Sequence, residues 1–369
     1  MKVKDICDKK SCSGCEACFN ACAHQAIIMR SDWRGFLYPA IDKDKCVGCG
    51  LCRKVCPSNK PRTSFTYPFT TVFIERDRHY LMKASSGGAF GVMARHIISE
   101  GGIVFGCSMD EVYDVKFMAV DTIEGLDKLY GSKYVQSKVG DIYRQIKLCL
   151  NAGRKVLFCG CPCHVAGLKA YLHKDTDNLI TMDLICHGVP SQPYFKAYVN
   201  DLLSRKAQLG TTIFRFRYKP EIGCETQYGQ NVHIGFHNRD YYMTYFLWGK
   251  TYRDSCYSCR FAGGSRPADF TIGDFWNQTE AQFSIDVKDG SSLVLFNTDK
   301  AKQYLTVFRN NGTCVEVPTF QQAMGKNGGQ LHHPCRNDFR TNLMYLLFKL
   351  FGVRGPKALF ALECIRCKI

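Results

Sequence analysis

The sequence predicts a chain of two unequal parts: a small α+β module near the N-terminus, then an α/β domain built on a mixed sheet. Three observations predict this. Eight cysteines crowd into two regularly spaced runs before residue 60. Over residues 71–325, short apolar, β-branched runs alternate with helix-like ones, the pattern of a sheet that is at least partly parallel. Apolar residues are 46% and aromatic residues 13% of 369, ample for the cores of roughly two or three domains. Nothing in the composition points to disorder.

The first run is Cys12-x2-Cys15-x2-Cys18-x3-Cys22, and the second is Cys46-x2-Cys49-x2-Cys52-x3-Cys56-Pro57. Three thiolates at this spacing fit three corners of an iron–sulfur cube, and the fourth reaches the other cube, as in two-cluster bacterial ferredoxins. The expected assignment is therefore crossed. Cys12, Cys15, Cys18 and Cys56 hold one 4Fe–4S cluster, and Cys46, Cys49, Cys52 and Cys22 hold the second. Structural zinc also uses Cys-x2-Cys pairs, but here each half brings three ligands plus a fourth, which favours iron and sulfide. Ala23 stands where the second run has Pro57, and no ligand is touched. This ferredoxin-like module spans residues 1–60, with short strand-like runs at 26–29 and 32–39 between its halves. The repeat occurs only twice, so it is a duplicated cluster fold and not a solenoid. Residues 61–70, with Pro61 and Pro68, read as a linker.

Cysteine is 22 of the residues, which in a secreted chain would suggest disulfides. The opening Met1 to Lys10 has no apolar signal core, and the cysteines fall in metal spacings. A reducing cytoplasm is the consistent expectation. No window of about 18 apolar residues exists, so no transmembrane helix is expected. The formal net charge is +16. Each four-iron unit with four thiolates carries about −2, so three would leave about +10. That basicity suits an acidic partner, nucleic acid or an anionic membrane, and equally a plain solvated surface. The positive residues are dispersed, with no nucleic-acid module, so no nucleic-acid partner is expected.

The α/β part begins with a strand at 71–75. Ser85-Ser86-Gly87-Gly88 then opens a helix over 89–99. Strands follow at 103–106 and 115–120, a helix at 141–151, and a buried strand at 155–160. Pro162 sits where a helix starts, and that helix runs to 172. A strand at 179–186 leads to a helix at 193–206. Residues 211–275 look strand-rich, and a strand at 292–297 precedes a helix at 299–310. In the tail, 326–369, Leu343, Leu346, Leu347, Leu350 and Phe351 fall at helical spacing among Lys349, Arg354, Lys357, Arg366 and Lys368. This is an amphipathic helix for a peripheral membrane contact, or a helix docked on the protein.

The later cysteines hold a second pattern. Cys163 lies in Gly160-Cys161-Pro162-Cys163-His164 at a strand-to-helix turn, Cys186 ends a strand, and Cys256-x2-Cys259 forms a pair. Ends of neighbouring strands converge on one sheet edge. Cys163, Cys186, Cys256 and Cys259 could thus make a third four-thiolate site, with Cys161 and Cys159 competing for the place of Cys163. Cys159 reads as a small buried hydrophobe. Cys107, Cys149, Cys224, Cys314, Cys335, Cys364 and Cys367 read as structural. His164 and His187 flank candidate ligands and read as hydrogen-bonding neighbours. Ser85, Ser86, Gly87 and Gly88 before a helix suit an anion, or simply cap the helix. Gly131, Ser132, Lys133 and Tyr134 are a second candidate for phosphate or ring contacts. Neither a dinucleotide fingerprint nor a phosphate-loop lysine motif is present.

Taken together, Ser85–Gly88, Gly131–Gln136, Gly160-x-Pro-Cys163, Asp183–Pro190, Cys256-x2-Cys259 and the segment 268–276 resemble the coenzyme F420 hydrogenase/dehydrogenase beta-subunit family. They run in family order over residues 70–300. The resemblance implies that 71–325 is a catalytic domain binding FAD and a 4Fe–4S cluster held by Cys163, Cys186, Cys256 and Cys259. It implies FAD near Ser85, Ser86, Gly87, Gly88, Gly131, Ser132, Lys133 and Tyr134. Cys161 and His164 stand where the family usually has Thr and Gln, which leaves Cys161 as an alternative ligand. The implied activity is an iron–sulfur flavoprotein oxidoreductase. Its partner is a ferredoxin or a hydrogenase/dehydrogenase subunit, and its acceptor is the deazaflavin coenzyme or another small molecule. No side-chain acid or base is identifiable: Asp274 and His187 are candidates only because they lie in motifs, and both suit a structural role equally. Two other classes remain: an electron-transfer subunit with no substrate of its own, and an iron–sulfur nucleic-acid-binding protein. Family membership does not fix the substrate.

Overall fold

Both cysteine runs fold alike. A computed structural model describes residues 5–61, 69–206, 211–216, 221–226, 231–236, 240–263, 266–275, 289–317, 334 and 337–367. Gly14 and Gly48 take the left-handed region, φ +70° and +75°, which glycine enters without steric cost. The residues after Cys15 and Cys49 do the same and open the short helices Ala17–Ala21 and Leu51–Lys54. In the second run this residue is Gly50, at φ 74°. In the first it is Glu16, at φ 58°, where a side chain costs about 1–2 kcal/mol. Glu16 is buried, and its carboxylate accepts the N–H groups of Val139 at 3.1 Å and Gly140 at 3.0 Å. The strain therefore persists because it docks the module on the following domain. Between the runs, β1 (Ile27–Ser31) and β2 (Leu37–Ile41) pair as an antiparallel hairpin. Asp32 closes its turn by accepting from Arg34 N and Phe36 N.

The domain is an eight-stranded mixed sheet. Its strands are β3 (Phe69–Glu75), β4 (Ile103–Met109), β5 (Val115–Val120), β6 (Val156–Gly160), β7 (Leu179–Leu184), β11 (Phe270–Asp274), β12 (Ser292–Phe296) and β13 (Gly312–Glu316). The order across the sheet is β13-β3-β12-β11-β7-β6-β4-β5. The four strands β4, β6, β7 and β11 are parallel, and antiparallel strands flank them on both sides. Every residue of β6 is buried, as a central parallel strand covered on both faces requires. The helices Ala89–Ser99 and Leu305–Asn311 cover one face, with Val92, Met93, Ile97 and Phe308 in its core. The helices Ile142–Asn151 and Pro162–Leu172 cover the other. That second core also takes in Cys15, Ala17 and Val55 of the module. A separate antiparallel sheet is formed by β8 (Thr211–Phe216), β9 (Glu221–Thr226) and β10 (Asn231–Phe236).

Several expectations are corrected. The 299–310 helix is two, Asp299–Lys302 and Leu305–Asn311, because Tyr304 turns its ring onto His96 and Phe270. The strand expected to reach 186 ends at Leu184, which leaves Cys186 in the loop beyond. The strand-rich 211–275 stretch also holds the buried helix Tyr241–Leu247. β13 has no clear signal in the sequence, since Gly-Thr-Cys-Val-Glu is weakly apolar. The tail is two helices, Phe339–Phe351 and Arg354–Cys367, broken at Gly352 with φ +56°. Its inner face is docked: Tyr345 is buried against Phe36 and Tyr194. Phe339, Leu346, Leu350, Phe351, Leu362 and Ile365 stay exposed. Phe69 and Thr70, expected in the linker, belong to β3. Linker residues 62–68, Trp276 of the 268–276 motif and Cys335 lie outside the described residues.

Replacing Glu16 with glycine, the residue of the second run, removes the backbone strain together with the two docking hydrogen bonds. We expect a net loss of about 2 kcal/mol in the free energy of unfolding, read by chemical denaturation. An unchanged midpoint would mean the carboxylate does not dock the module.

Candidate metal centre

The module's cysteines gather in the crossed sets. The charges of Cys12 and Cys56 act on both Cys15 and Cys18, and those of Cys22 and Cys49 act on Cys52. Cys46 opens the same loop as Cys49. Cys12, Cys15, Cys18 and Cys56 are buried, whereas Cys49 is exposed beside Val47, itself 62% exposed. One set is therefore inner and the other outer. Burial pushes the Cys15 thiol up to about 12. Cys12 is drawn down to about 6 by a hydrogen bond from Cys7, against burial and with help from Arg253. Cys7 also donates to Cys56. Sequence reasoning missed Cys7, which lies outside the repeat spacing.

The inner set is clamped to the domain by Arg253, which has no exposed surface. Its Nε donates to Cys12 O at 2.6 Å, its Nη2 to Leu37 O at 2.9 Å, and its Nη1 to Gln136 Oε1 at 3.1 Å. Nη2 also lies 3.6 Å from Cys12 Sγ, and the guanidinium stacks on Tyr38 at 4.0 Å. Gln136 in turn donates to Ser13 O at 3.0 Å. A Cβ on Gly14 would fall 2.5 Å from Gln136 Nε2, so the loop admits only glycine. A Cβ on Gly167 would fall 3.1 Å from Cys15 Sγ. The Pro162–Leu172 helix thus touches the inner set, and Cys163 lies in its first turn.

The third group forms at the carboxyl ends of the parallel strands. Cys161 follows β6 and caps the next helix, and Cys186 lies two residues past β7. Cys256 and Cys259 sit in the loop around a single 3-10 turn, Asp254–Cys256. With Cys163, all five line one cavity of about 490 Å³. The charges of Cys186, Cys259 and Cys256 act on Cys163, and the Cys161 thiol donates a hydrogen bond to Cys186. Burial pushes the Cys163, Cys256 and Cys259 thiols up. Arg266 holds the loops in place. Its Nη2 pairs with the buried Asp183 of β7 at 2.6 Å, and its Nη1 donates to Phe261 O at 3.0 Å, just past Cys259. Ser11, Ser13, Pro57 and Ser58, neighbours of Cys12 and Cys56, line the same cavity. Among the described residues, no three His, Cys, Asp or Glu side chains close on a point that would hold one metal ion. A single zinc draws its thiolates to about 2.3 Å from one centre, and a four-iron cube spreads them over separate irons. Four soft thiolates on separate loops are donors that an iron–sulfur cube uses. Cys159 is buried within β6, and Cys107 is half-buried on β4. Cys149, Cys314 and Cys364 are half-buried and elsewhere, and the side chains of Cys224 and Cys367 lie outside the described residues.

The two segments expected near a flavin meet each other. Ser132 N donates to Ser85 Oγ at 2.7 Å, and Ser86 Oγ donates to Ser291 O at 2.8 Å. Lys133 Nζ donates to Leu129 O and Tyr130 O. A Cβ on Gly87 would lie 2.2 Å from Phe73 O, so that glycine serves backbone packing. Gly88, φ +88°, opens the Ala89–Ser99 helix without a side-chain cap, and nothing stands within 4 Å of a Cβ on Gly131. The Ser132 N–H and the Lys133 ammonium are thus both engaged within the protein. Asp274, at the end of β11, hydrogen-bonds with Ser86 and acts on the half-buried Tyr134. Burial pushes its carboxyl up to about 6. His187 Nε2 lies 3.0 Å from Leu247 O. Burial, with Arg253 second, lowers His164 to about 4, so its ring is neutral.

Residues 11–60 match the family described as 4Fe-4S dicluster domain. Residues 153–321 match the family described as the C terminus of the coenzyme F420 hydrogenase/dehydrogenase beta subunit. The chain is similar to the pyruvate synthase subunit PorD of Thermotoga maritima, 38% identical over 68 residues. That match covers 17% of this chain and 64% of PorD, under two thirds of its length. An uncharacterized ferredoxin of Methanocaldococcus jannaschii is 36% identical over 59 residues, 16% of this chain and 75% of its own. A chain of the F420-reducing [NiFe] hydrogenase complex from Methanosarcina barkeri, solved as a xenon derivative, superposes with a TM-score of 0.50 and 18% identity. It covers 76% of this chain and 100% of its own, a likeness of fold.

Asp274 binds its proton more tightly folded than unfolded. Its contribution favours the fold below the unfolded value of 3.8 and is lost as pH rises through about 6. Asp274→Asn is expected to raise the thermal midpoint at about pH 7.5 and to leave it unchanged at about pH 3.5. Equal midpoints at the higher pH would refute a buried, strained carboxylate.

Proposed function

We propose that this chain, whose residues 153–321 match the C terminus of the coenzyme F420 hydrogenase/dehydrogenase beta subunit and whose residues 11–60 match a 4Fe-4S dicluster domain, is a ferredoxin-linked iron–sulfur flavoprotein oxidoreductase. It exchanges electrons with a ferredoxin-type carrier or a hydrogenase/dehydrogenase subunit, and with a two-electron small-molecule acceptor such as the deazaflavin coenzyme. The observation that carries this reading is the series of thiol sets, outer, inner and third, the third lining a cavity that it shares with neighbours of the inner set. Bound clusters supply one-electron transfer, and a bound flavin couples single electrons to a pair.

The residues divide the work. Cys22, Cys46, Cys49 and Cys52 would hold the outer cluster at the surface, where a partner can approach. Cys12, Cys15, Cys18 and Cys56 would hold the inner one away from water. Cys163, Cys186, Cys256 and Cys259 would hold the third, with Arg266 fixing their loops. Gly88 and the helix behind it would meet the flavin's phosphates, with Asp274 beside Ser86. A thiol-rich chain of this kind belongs in a reducing cytoplasm. Among the described residues no helix is long and apolar enough to cross a membrane. The exposed apolar residues of the tail, with Lys349 and Arg354 exposed among them, are proposed for peripheral contact with an anionic surface. One observation favours a second reading: the serine hydroxyls and Lys133 are engaged within the protein. That would suit an electron-transfer subunit without a substrate of its own.

Anaerobic purification with counts of iron, sulfide and released flavin tests both readings. About 12 irons and about one FAD per chain are expected, and Cys186→Ser should lose about four irons. About 8 irons and no flavin after reconstitution would overturn the third site and the reductase. About 12 irons without flavin would select the electron-transfer role. Vesicle flotation tests the tail: the chain should float with anionic vesicles, and Leu350→Glu should abolish this. Equal recovery with neutral vesicles would remove the membrane contact.

A further inference from the structure

His164 is a buried polar side chain that the fold leaves unexplained. It is 2% exposed, and neither ring nitrogen has a hydrogen-bond partner among the described residues. A buried donor or acceptor left unpaired costs about 1–3 kcal/mol, and folded proteins rarely tolerate it. Its main chain is held in place. Its backbone N donates to Cys161 O at 2.9 Å, and its carbonyl accepts from Tyr143 Oη at 2.8 Å. Its ring stands edge-on to Phe117, 5.1 Å between centroids. The same side chain lines the cavity shared by Cys161, Cys163, Cys186, Cys256 and Cys259. An orphaned ring on the wall of a thiol-lined cavity lacks an acceptor, and the missing acceptor would occupy that cavity.

We propose that the ring N–H of His164 donates a hydrogen bond to a sulfur of the cluster held by Cys163, Cys186, Cys256 and Cys259, and so sets its reduction potential. This rests on reading the cavity as the third cluster site. A neutral imidazole offers one N–H donor. Hydrogen bonds to cluster sulfur favour the more negative, reduced state and raise the potential. His164 thereby acts through the cluster as a positioning residue and is not a ligand. Arg266, which acts on Cys186 and Cys259 from the loop side, pushes in the same direction.

The test is a redox titration followed by electron paramagnetic resonance on the whole chain, with iron counted in each sample. In His164→Leu, one of three midpoints should fall by about tenfold in the one-electron equilibrium, about 59 mV, with iron unchanged. His164→Gln keeps an N–H donor and should recover most of that shift. If no midpoint moves in His164→Leu, the proposal is wrong. If His164→Gln shifts as far as His164→Leu, the donor role is also wrong. Loss of about four irons in His164→Leu would make the ring a ligand instead. A wild-type chain with about 8 irons would remove the third site itself, a failure separable from the others by iron count alone.

Discussion

Everything about this chain turns on one buried guanidinium. Arg253 has no exposed surface and reaches across from the loop that leads to Cys256 into the first cysteine turn of the module. A charge buried that deeply is tolerable only when its donors are matched. Here the backbone of Cys12, the backbone of Leu37 and the side chain of Gln136 match them. The module and the domain are thus one cooperative body, with the inner thiols at the seam. Glu16 and Arg144 close the rest of the seam. Arg144 donates to three carbonyls around Cys22, those of Asn20, Phe19 and Cys22.

That seam orders the sites by exposure. Water reaches the outer cysteines and is kept from the inner ones, and the third group lies where the carboxyl ends of the parallel strands leave a crevice. Low-dielectric surroundings favour the less charged form of any thiol or cluster. The buried arginines Arg253 and Arg266 oppose that tendency by supplying positive charge to the inner and third groups respectively. The outer group faces solvent, and the half-buried Arg144 reaches only the backbone beside it, at Cys22.

Much of this is legible in the order of the residues, because it rests on local spacing. Cysteine intervals, the helix over 89–99 and the buried strand before Pro162 are each contained within about a dozen residues. The crossed pairing follows from the repeat, and the third group from strand ends sharing an edge, although both Cys161 and Cys163 reach the cavity. What stays hidden depends on contacts between distant residues. Arg253 and Glu16 carry no motif, Gln136 only ends one, and their partners lie more than a hundred positions away. The tail break at Gly352 is masked by apolar periodicity running through it, and β13 is held by pairing with β3 rather than by its own propensity. Where Ser85 meets Ser132 the residue types suggest hydroxyls and a lysine as ligand contacts, yet the chain satisfies those groups internally.

The missing room at Gly14 bears on how such a chain can be inherited. A single methyl group there would collide with Gln136 and Arg253. Eight correctly spaced cysteines are therefore not a portable cassette. A free ferredoxin spliced in place of residues 1–60 would conserve every ligand and still fail to seat, unless it also brought glycine to that turn and met glutamine and arginine across it. The two halves are bound to drift together, each fixing which neighbours the other can accept.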